Sequence, residues 1–177
     1  LVSTEWLASH LDDANLRILD STVYLRAPAP NADRRNFTQE SGRADYEAGH
    51  VPGALFADLV RDFSDTSARF PFTKPSAEQF AASLGALGVD NSTHVVCYDG
   101  SGTMWATRMW WLLRAFGHDN ASVLDGGIKK WNAEGRPLST EIPAVQPARF
   151  TPNERPERWA TKDDVLAAIN DGQACVI

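Results

Sequence analysis

The chain holds 177 residues, with 17 Lys and Arg against 23 Asp and Glu, a net charge of -6 and an isoelectric point near 5.1. At that length, 43% hydrophobic residues with six Trp and eight Phe suffice for one ordinary domain with a sizeable core, which excludes a disordered chain. No basic stripe is present to displace counterions from a nucleic-acid backbone, and no apolar run nears the ~20 residues of a membrane span.

Leu1-Val2-Ser3 lacks an initiator Met, a basic region and an apolar stretch, so no secretory signal is expected, and the missing Met suggests a fragment. Ser3 or Thr4 caps a first helix to about Leu11, with Trp6, Leu7 and Leu11 on one face. Leu16 to Asp20 reads as a short buried strand that ends in a carboxylate. Residues 26–45, with Pro28, Pro30, Asn31 and Gly42, read as loop, and 63–75 as a second irregular stretch. Ser76 caps the next helix, with Glu78 in its first turn, Phe80 and Leu84 facing inward and Gly88 near its end. His94 to Tyr98 is a strand, followed by the loop Asp99-Gly100-Ser101-Gly102 and a helix from about Thr103 to Phe116 that Gly117 stops. That helix is apolar nearly all round, the pattern of a helix buried on several sides. Ser122-Val123-Leu124 is another strand, and Gly126-Gly127 turns it into a helix over about Ile128 to Glu134. This alternation predicts an α/β fold: a central, mostly parallel sheet with helices on both faces.

Pro143, Pro147, Pro152 and Pro156 mark a linker, which divides the chain into a domain over 1–140, a linker over 141–157 and a tail over 158–177. The tail resembles the start of the chain. Under a shift of 158 residues, Ser3 falls on Thr161, Leu7 on Val165, Leu11 on Ile169, Asp13 on Asp171 and Ile18 on Val176. Cap, helix face, turn and strand recur in order, as in a tandem repeat cut off inside its second copy. The alternative is a C-terminal helix that packs on the first domain.

The loop opened by Asp99 lies where a strand gives way to a helix, which is where open α/β sheets bind ligands. Its glycines and the amides of the helix start suit an anion. A carboxylate at Asp99 would fill that positive end itself and repel an incoming anion. In Tyr46 to Ala54, Gly49 and Pro52-Gly53 fix a tight turn that holds His50 among short neighbours, as a structural hydrogen-bonding group or as a catalyst. Cys97 and Cys175 sit in apolar, strand-like runs and read as buried thiols in a reducing compartment. No zinc spacing is present.

The run Gly49-His50-Val51-Pro52-Gly53-Ala54 is similar to the Gly-His-Ile/Val-Pro-Gly-Ala signature of rhodanese-like sulfurtransferases. His94 to Asp99, Arg108-Met109-Trp110-Trp111, Phe116-Gly117-His118, and Ser122 to Gly127 with Trp131 resemble the first, non-catalytic half of two-domain thiosulfate and 3-mercaptopyruvate sulfurtransferases. Residues 158–177 resemble the opening of the catalytic half. The resemblance implies a rhodanese-like fold whose catalytic Cys follows the central strand, cradled by loop amides that favour its thiolate. That Cys takes sulfur from a small anionic donor, thiosulfate or 3-mercaptopyruvate, as a persulfide. A thiol, thioredoxin or cyanide then accepts it.

Asp99 matches the position of that Cys, so the resemblance implies a degenerate loop over Asp99, Gly100, Ser101 and Gly102, silent in sulfur transfer. It also implies that the active site lies between two domains and that this half supplies walls and some polar groups. His50 matches a histidine thought to work in a relay with an upstream Asp, for which Asp33 fits locally and Asp45 lies nearer. Arg34, Arg35 and Arg43 form either a basic cluster near the substrate or a solvated loop, and Arg108 is expected to pair with a buried carboxylate such as Asp99 or Asp125. No cofactor, metal, nucleic acid or membrane is expected, and the setting is expected to be cytoplasmic. The competing reading is a rhodanese-like binding or regulatory module that docks a partner or senses an anion.

Overall fold

A computed structural model describes residues 1–28, 30 and 37–171 of the chain. The elements run α1 (Thr4–Ser9), β1 (Leu16–Asp20), β2 (Val23–Arg26), β3 (Thr38–Ser41), α2 (Arg43–Ala48) and β4 (Ala54–Phe56). They continue with α3 (Ala77–Ala86), β5 (His94–Tyr98), α4 (Met104–Ala115), β6 (Ala121–Val123), α5 (Gly127–Ala133), a short 3-10 turn (Pro156–Arg158) and α6 (Lys162–Asp171). Four strands make a parallel sheet in the order β4-β1-β5-β6, and β2 pairs antiparallel with β3 as a separate ribbon. Among the described residues no helix is long and apolar enough to cross a membrane.

The two-residue period of the strands sorts the core into two layers. Leu19, Leu55, Val95, Cys97 and Val123 face α3 and α4, where Phe80, Leu84, Met109, Leu112 and Leu113 are buried against them. Their neighbours Ile18, Phe56, Val96 and Tyr98 face the other way, onto Leu7 of α1, Tyr46 of α2 and Trp131 of α5. Ser3 caps α1 by accepting from the Trp6 amide, and Ser76 caps α3 by accepting from the Gln79 amide. The parallel α/β sheet with helices on both faces is the one the alternating sequence predicts, except that its edge strand β4 (Ala54–Phe56) was not expected.

Two details differ. α1 stops at Ser9 rather than Leu11, because the His10 amide donates to the Leu7 carbonyl and closes the helix. Residues 26–45 are not all loop: Thr38-Gln39-Glu40-Ser41 pairs with Val23-Tyr24-Leu25-Arg26, and α2 begins at Arg43. The β3 segment has no apolar residue at all, so no alternation marks it as a strand. α4 is buried along most of its length, as expected, with Met104 at its start 55% exposed.

The proline-marked segment lies along the domain as a strap. The Ala148 amide donates to the Gly85 carbonyl (2.9 Å) and the Asn153 amide to that of Phe116 (2.9 Å). Phe150 is buried in the α3–α4 layer, and Arg155 holds Asp119 with both terminal nitrogens. Trp159 packs its ring edge-on to Trp111, with centroids 4.2 Å apart.

Gly85 is a helical glycine with a reason to be one. A Cβ there would stand 2.5 Å from the Ala148 carbonyl oxygen. Alanine normally stabilises a helix by up to about 1 kcal/mol over glycine. Here the backbone oxygen must move away, so Gly85→Ala should lower the unfolding free energy by about 1–2 kcal/mol. Urea denaturation reads the sign directly, because a stabilised variant would mean that the strap is not seated against α3.

Candidate functional site

The carboxyl ends of β1 and β5 lie side by side, with Asp20 and Tyr98 as register partners. The chain leaves β5 at Asp99 and enters α4 five residues later. Asp99 is 2% exposed, and its carboxylate collects five backbone amides: Ser101 (2.8 Å), Gly102 (2.8 Å) and Thr103 (3.0 Å) donate to Oδ1, and Trp105 (3.0 Å) and Ala106 (2.8 Å) to Oδ2. Three come from the loop and two are orphan N–H groups of the first turn of α4, all aimed at one anion. The carboxylate is folded back into the cradle, as a cap. Thr103, at the junction of the loop and α4, takes a left-handed φ of 71°. Gly127 packs so close beneath that a Cβ would stand 2.7 Å from the Asp99 carbonyl oxygen.

A second carboxylate supports the loop from below. Asp20 is 3% exposed, and its Oδ1 accepts from the Thr22 amide (2.9 Å) and hydroxyl (2.5 Å). The Thr22 oxygen accepts in turn from the Gly100 amide (2.8 Å). Burial pushes the Asp20 carboxyl above its usual range, and the negative charge of Asp99 adds to this against the hydrogen bonds from Thr22 and Tyr98.

Beside the loop, Trp105 forms the floor of a cleft of about 530 Å³ lined by Leu25, Phe37, Pro71 and Phe72. Phe72 carries a left-handed φ of 57°, rare for a bulky residue. Arg108 holds it there by donating from Nη2 to the Phe72 carbonyl, with the guanidinium over the ring. Arg108 therefore pairs with a backbone carbonyl and not with Asp99 or Asp125, and burial lowers its pKa. Asp125 lies instead 3.6 Å from Lys130. The cleft has no trace in the sequence, because the stretch 63–75 that walls it has no period to read.

His50 is fully buried and stacks on the Tyr46 ring at 4.0 Å. Nδ1 lies 2.7 Å from the Tyr46 carbonyl and Nε2 3.0 Å from that of Glu141. Both ring nitrogens are thus engaged by main-chain oxygens. Asp33, Arg34 and Arg35 lie outside the described residues, as does Cys175. Asp45 accepts from the Tyr24 hydroxyl (2.5 Å), and Arg43 lies over the Phe56 ring. Cys97 is fully buried, and burial pushes its thiol far up, away from the nucleophilic thiolate. Among the described residues no cluster of His, Cys, Asp and Glu could hold a metal ion.

A profile of the rhodanese-like domain matches residues 3–134. The thiosulfate/3-mercaptopyruvate sulfurtransferase 2 of Arabidopsis thaliana is 42% identical over 142 residues, 80% of this chain and 38% of its own length. The 3-mercaptopyruvate sulfurtransferase of Rattus norvegicus is 38% identical over 96% of this chain and 56% of its own. The crystal structure of the 3-mercaptopyruvate sulfotransferase SseA from Escherichia coli superposes with a TM-score of 0.76 at 34% identity, covering 98% of this chain and 63% of that one. The chain spans about half the length of the curated relatives it matches.

Two substitutions test this geometry. An amide offers one oxygen where the Asp99 carboxylate offers two, so Asp99→Asn turns an NH2 toward the Trp105 and Ala106 amides. The isosteric change should cost about 2–4 kcal/mol in denaturant unfolding, and a neutral result would show that the cradle is not closed on this side chain. Asp20→Asn should act in the opposite direction. With its folded pKa raised, wild-type Asp20 favours folding most at pH below its unfolded value and loses that contribution as pH rises through the folded value. The asparagine stays neutral, so the variant should melt above wild type at neutral pH, with the gap closing toward pH ~3. A gap independent of pH would contradict the assignment.

Proposed function

Since the chain belongs to the rhodanese-like family, a membership shown by the match over residues 3–134, we propose that it is the non-catalytic part of a sulfurtransferase that uses thiosulfate or 3-mercaptopyruvate. The observation that carries this reading is the Asp99 carboxylate inside the amide cradle. Sulfur transfer in this family needs a thiolate that attacks the donor's terminal sulfur. A new S–S bond forms, and sulfite or the enolate of pyruvate leaves with the electron pair. A carboxylate in that place cannot hold sulfur, and its charge opposes an anionic donor. The nucleophile belongs to a second rhodanese-like domain, and a thiol, thioredoxin or cyanide takes the sulfur from its persulfide. No resident cofactor takes part.

Two features support the tandem arrangement. Thr161 accepts from the Asp164 amide as Ser3 does from that of Trp6, both at 3.1 Å and both three residues ahead of the cap. No residue of α6 is buried: Leu166 is 55% and Ile169 60% exposed, whereas Leu7 of α1 is fully buried. An amphipathic helix that leaves its apolar face open against the first domain suits a second core, built as α1 builds the first. The Trp105 cleft, beside the Asp99 loop, supplies an apolar wall to the site between the two domains.

The second reading is a rhodanese-like module that only binds, and the same buried Asp99 is compatible with it. A persulfidation assay separates the two. The chain of 177 residues, incubated with either donor, should gain no sulfur by mass spectrometry and release neither sulfite nor pyruvate. A protein that continues into a second rhodanese-like domain with a Cys in the matching loop should do both. Turnover by the 177 residues alone would overturn the division of labour, and an inert longer protein would favour the module.

A further inference from the structure

His50 sits where two segments of chain meet. On one side is the end of α2, whose Tyr46 carbonyl faces Nδ1 at 2.7 Å. On the other is the start of the strap, whose Glu141 carbonyl faces Nε2 at 3.0 Å. The backbones are tied as well: the His50 amide donates to the Ser139 carbonyl and the Ser139 amide to that of His50, each at 2.9 Å. The Glu141 amide closes the turn by donating to the Ser139 hydroxyl (3.0 Å).

We infer that His50 is a positioning residue: its ring is a two-ended fastener that fixes where the strap begins, and so where the chain leaves the domain. A carbonyl only accepts, so the contact at either end needs an N–H on that ring nitrogen; a neutral ring supplies one such N–H and the doubly protonated ring supplies both. The ring is trapped between Tyr46, stacked at 4.0 Å, and the strap, with no solvent exposure. The titratable groups around it are Tyr46 on α2, whose hydroxyl burial pushes up to about 12, and Glu141 on the strap, whose backbone makes the contact. Everything downstream takes its register from this point: Ala148 on Gly85, Phe150 in the core, Arg155 on Asp119 and Trp159 on Trp111. The consequence for sulfur transfer rests on the proposed tandem arrangement, in which this register sets how α6 and the domain after it are delivered to the Asp99 face. His50 then serves the reaction without touching the donor.

Graded substitution tests the fastener against simple space filling. A glutamine amide nitrogen can reach the place of Nε2, and an asparagine amide nitrogen that of Nδ1. His50→Gln should keep the Glu141 contact, whereas His50→Asn should lose it and His50→Leu should lose both. Hydrogen exchange of peptides over residues 138–150 should be about fivefold faster in the Asn and Leu variants and within twofold of wild type in the Gln variant. Leu protecting like wild type, or Gln exchanging like Leu, would overturn the proposal. If a variant does not fold, the unmodified chain still decides: a through-hydrogen-bond coupling between His50 Nε2 and the Glu141 carbonyl carbon should be visible by NMR, and its absence refutes the contact. In a protein with the second domain, His50→Leu should lower kcat several-fold while His50→Gln does not. A longer wild-type protein with no sulfur transfer would refute the proposed function but leave the exchange result to judge the fastener.

Discussion

Five backbone amides, three from the loop before α4 and two from its first turn, converge on the carboxylate of Asp99, and the shape of the loop follows from that convergence. A helix start leaves N–H groups without intrahelical partners, and in a buried setting each unmet donor costs about 1–3 kcal/mol. A side chain supplied from within the loop meets all five at once. Thr103 takes a left-handed backbone, and Gly127 lets the Asp99 carbonyl pass close beneath α5. The same arrangement that makes a helix start attractive to an external anion here satisfies itself internally. Binding capacity and structural closure are therefore alternatives decided by one side chain.

The support beneath the loop shows how such closure is held in register. Asp20, Thr22 and Gly100 form a chain of hydrogen bonds from the end of β1 to the second residue of the loop. Two carboxylates thus lie near each other in a buried region. Asp99 is compensated by five donors, while Asp20 has the Thr22 groups and the Tyr98 hydroxyl but no cation among the described residues. Burial therefore dominates at Asp20. A buried acid is costly to keep charged, and here its oxygens hold the threonine that in turn holds the Gly100 amide.

Three of the four central strands were legible because they are apolar runs, and α1 and α3 because their caps stand at the right distance; β4, three residues long, was not. Leu16 to Asp20 and His94 to Tyr98 emerge at the expected bounds, and Ser3 and Ser76 cap as their spacing implies. β3 was not legible, since Thr38 to Ser41 owes its pairing to the neighbouring strand and not to any alternation of its own. The pairing of Arg108 was misread because a buried cation suggests a carboxylate. The partner is the carbonyl of Phe72, in a stretch whose conformation no periodic pattern encodes. At the candidate site, Asp99 was identifiable from its place after a strand. That its carboxylate turns inward depends on five amides whose directions are set only once the loop and the first turn of α4 are formed.

His50 illustrates the limit of reading a motif. Its place in a tight turn among glycines and a proline marks the residue as held, and the choice between catalyst and structural group stays open from sequence. The deciding partner is Glu141, 91 residues away, through a backbone oxygen that every amino acid carries. Nothing about the side chain of Glu141 announces it. A polar contact made to main chain is invisible to any inspection of residue types, yet it occupies both nitrogens of the ring. A histidine with a free nitrogen facing a cleft can shuttle protons. One whose two nitrogens join two segments of backbone is placed to hold them together, and in this fold the segment it holds is the route by which the chain leaves the domain.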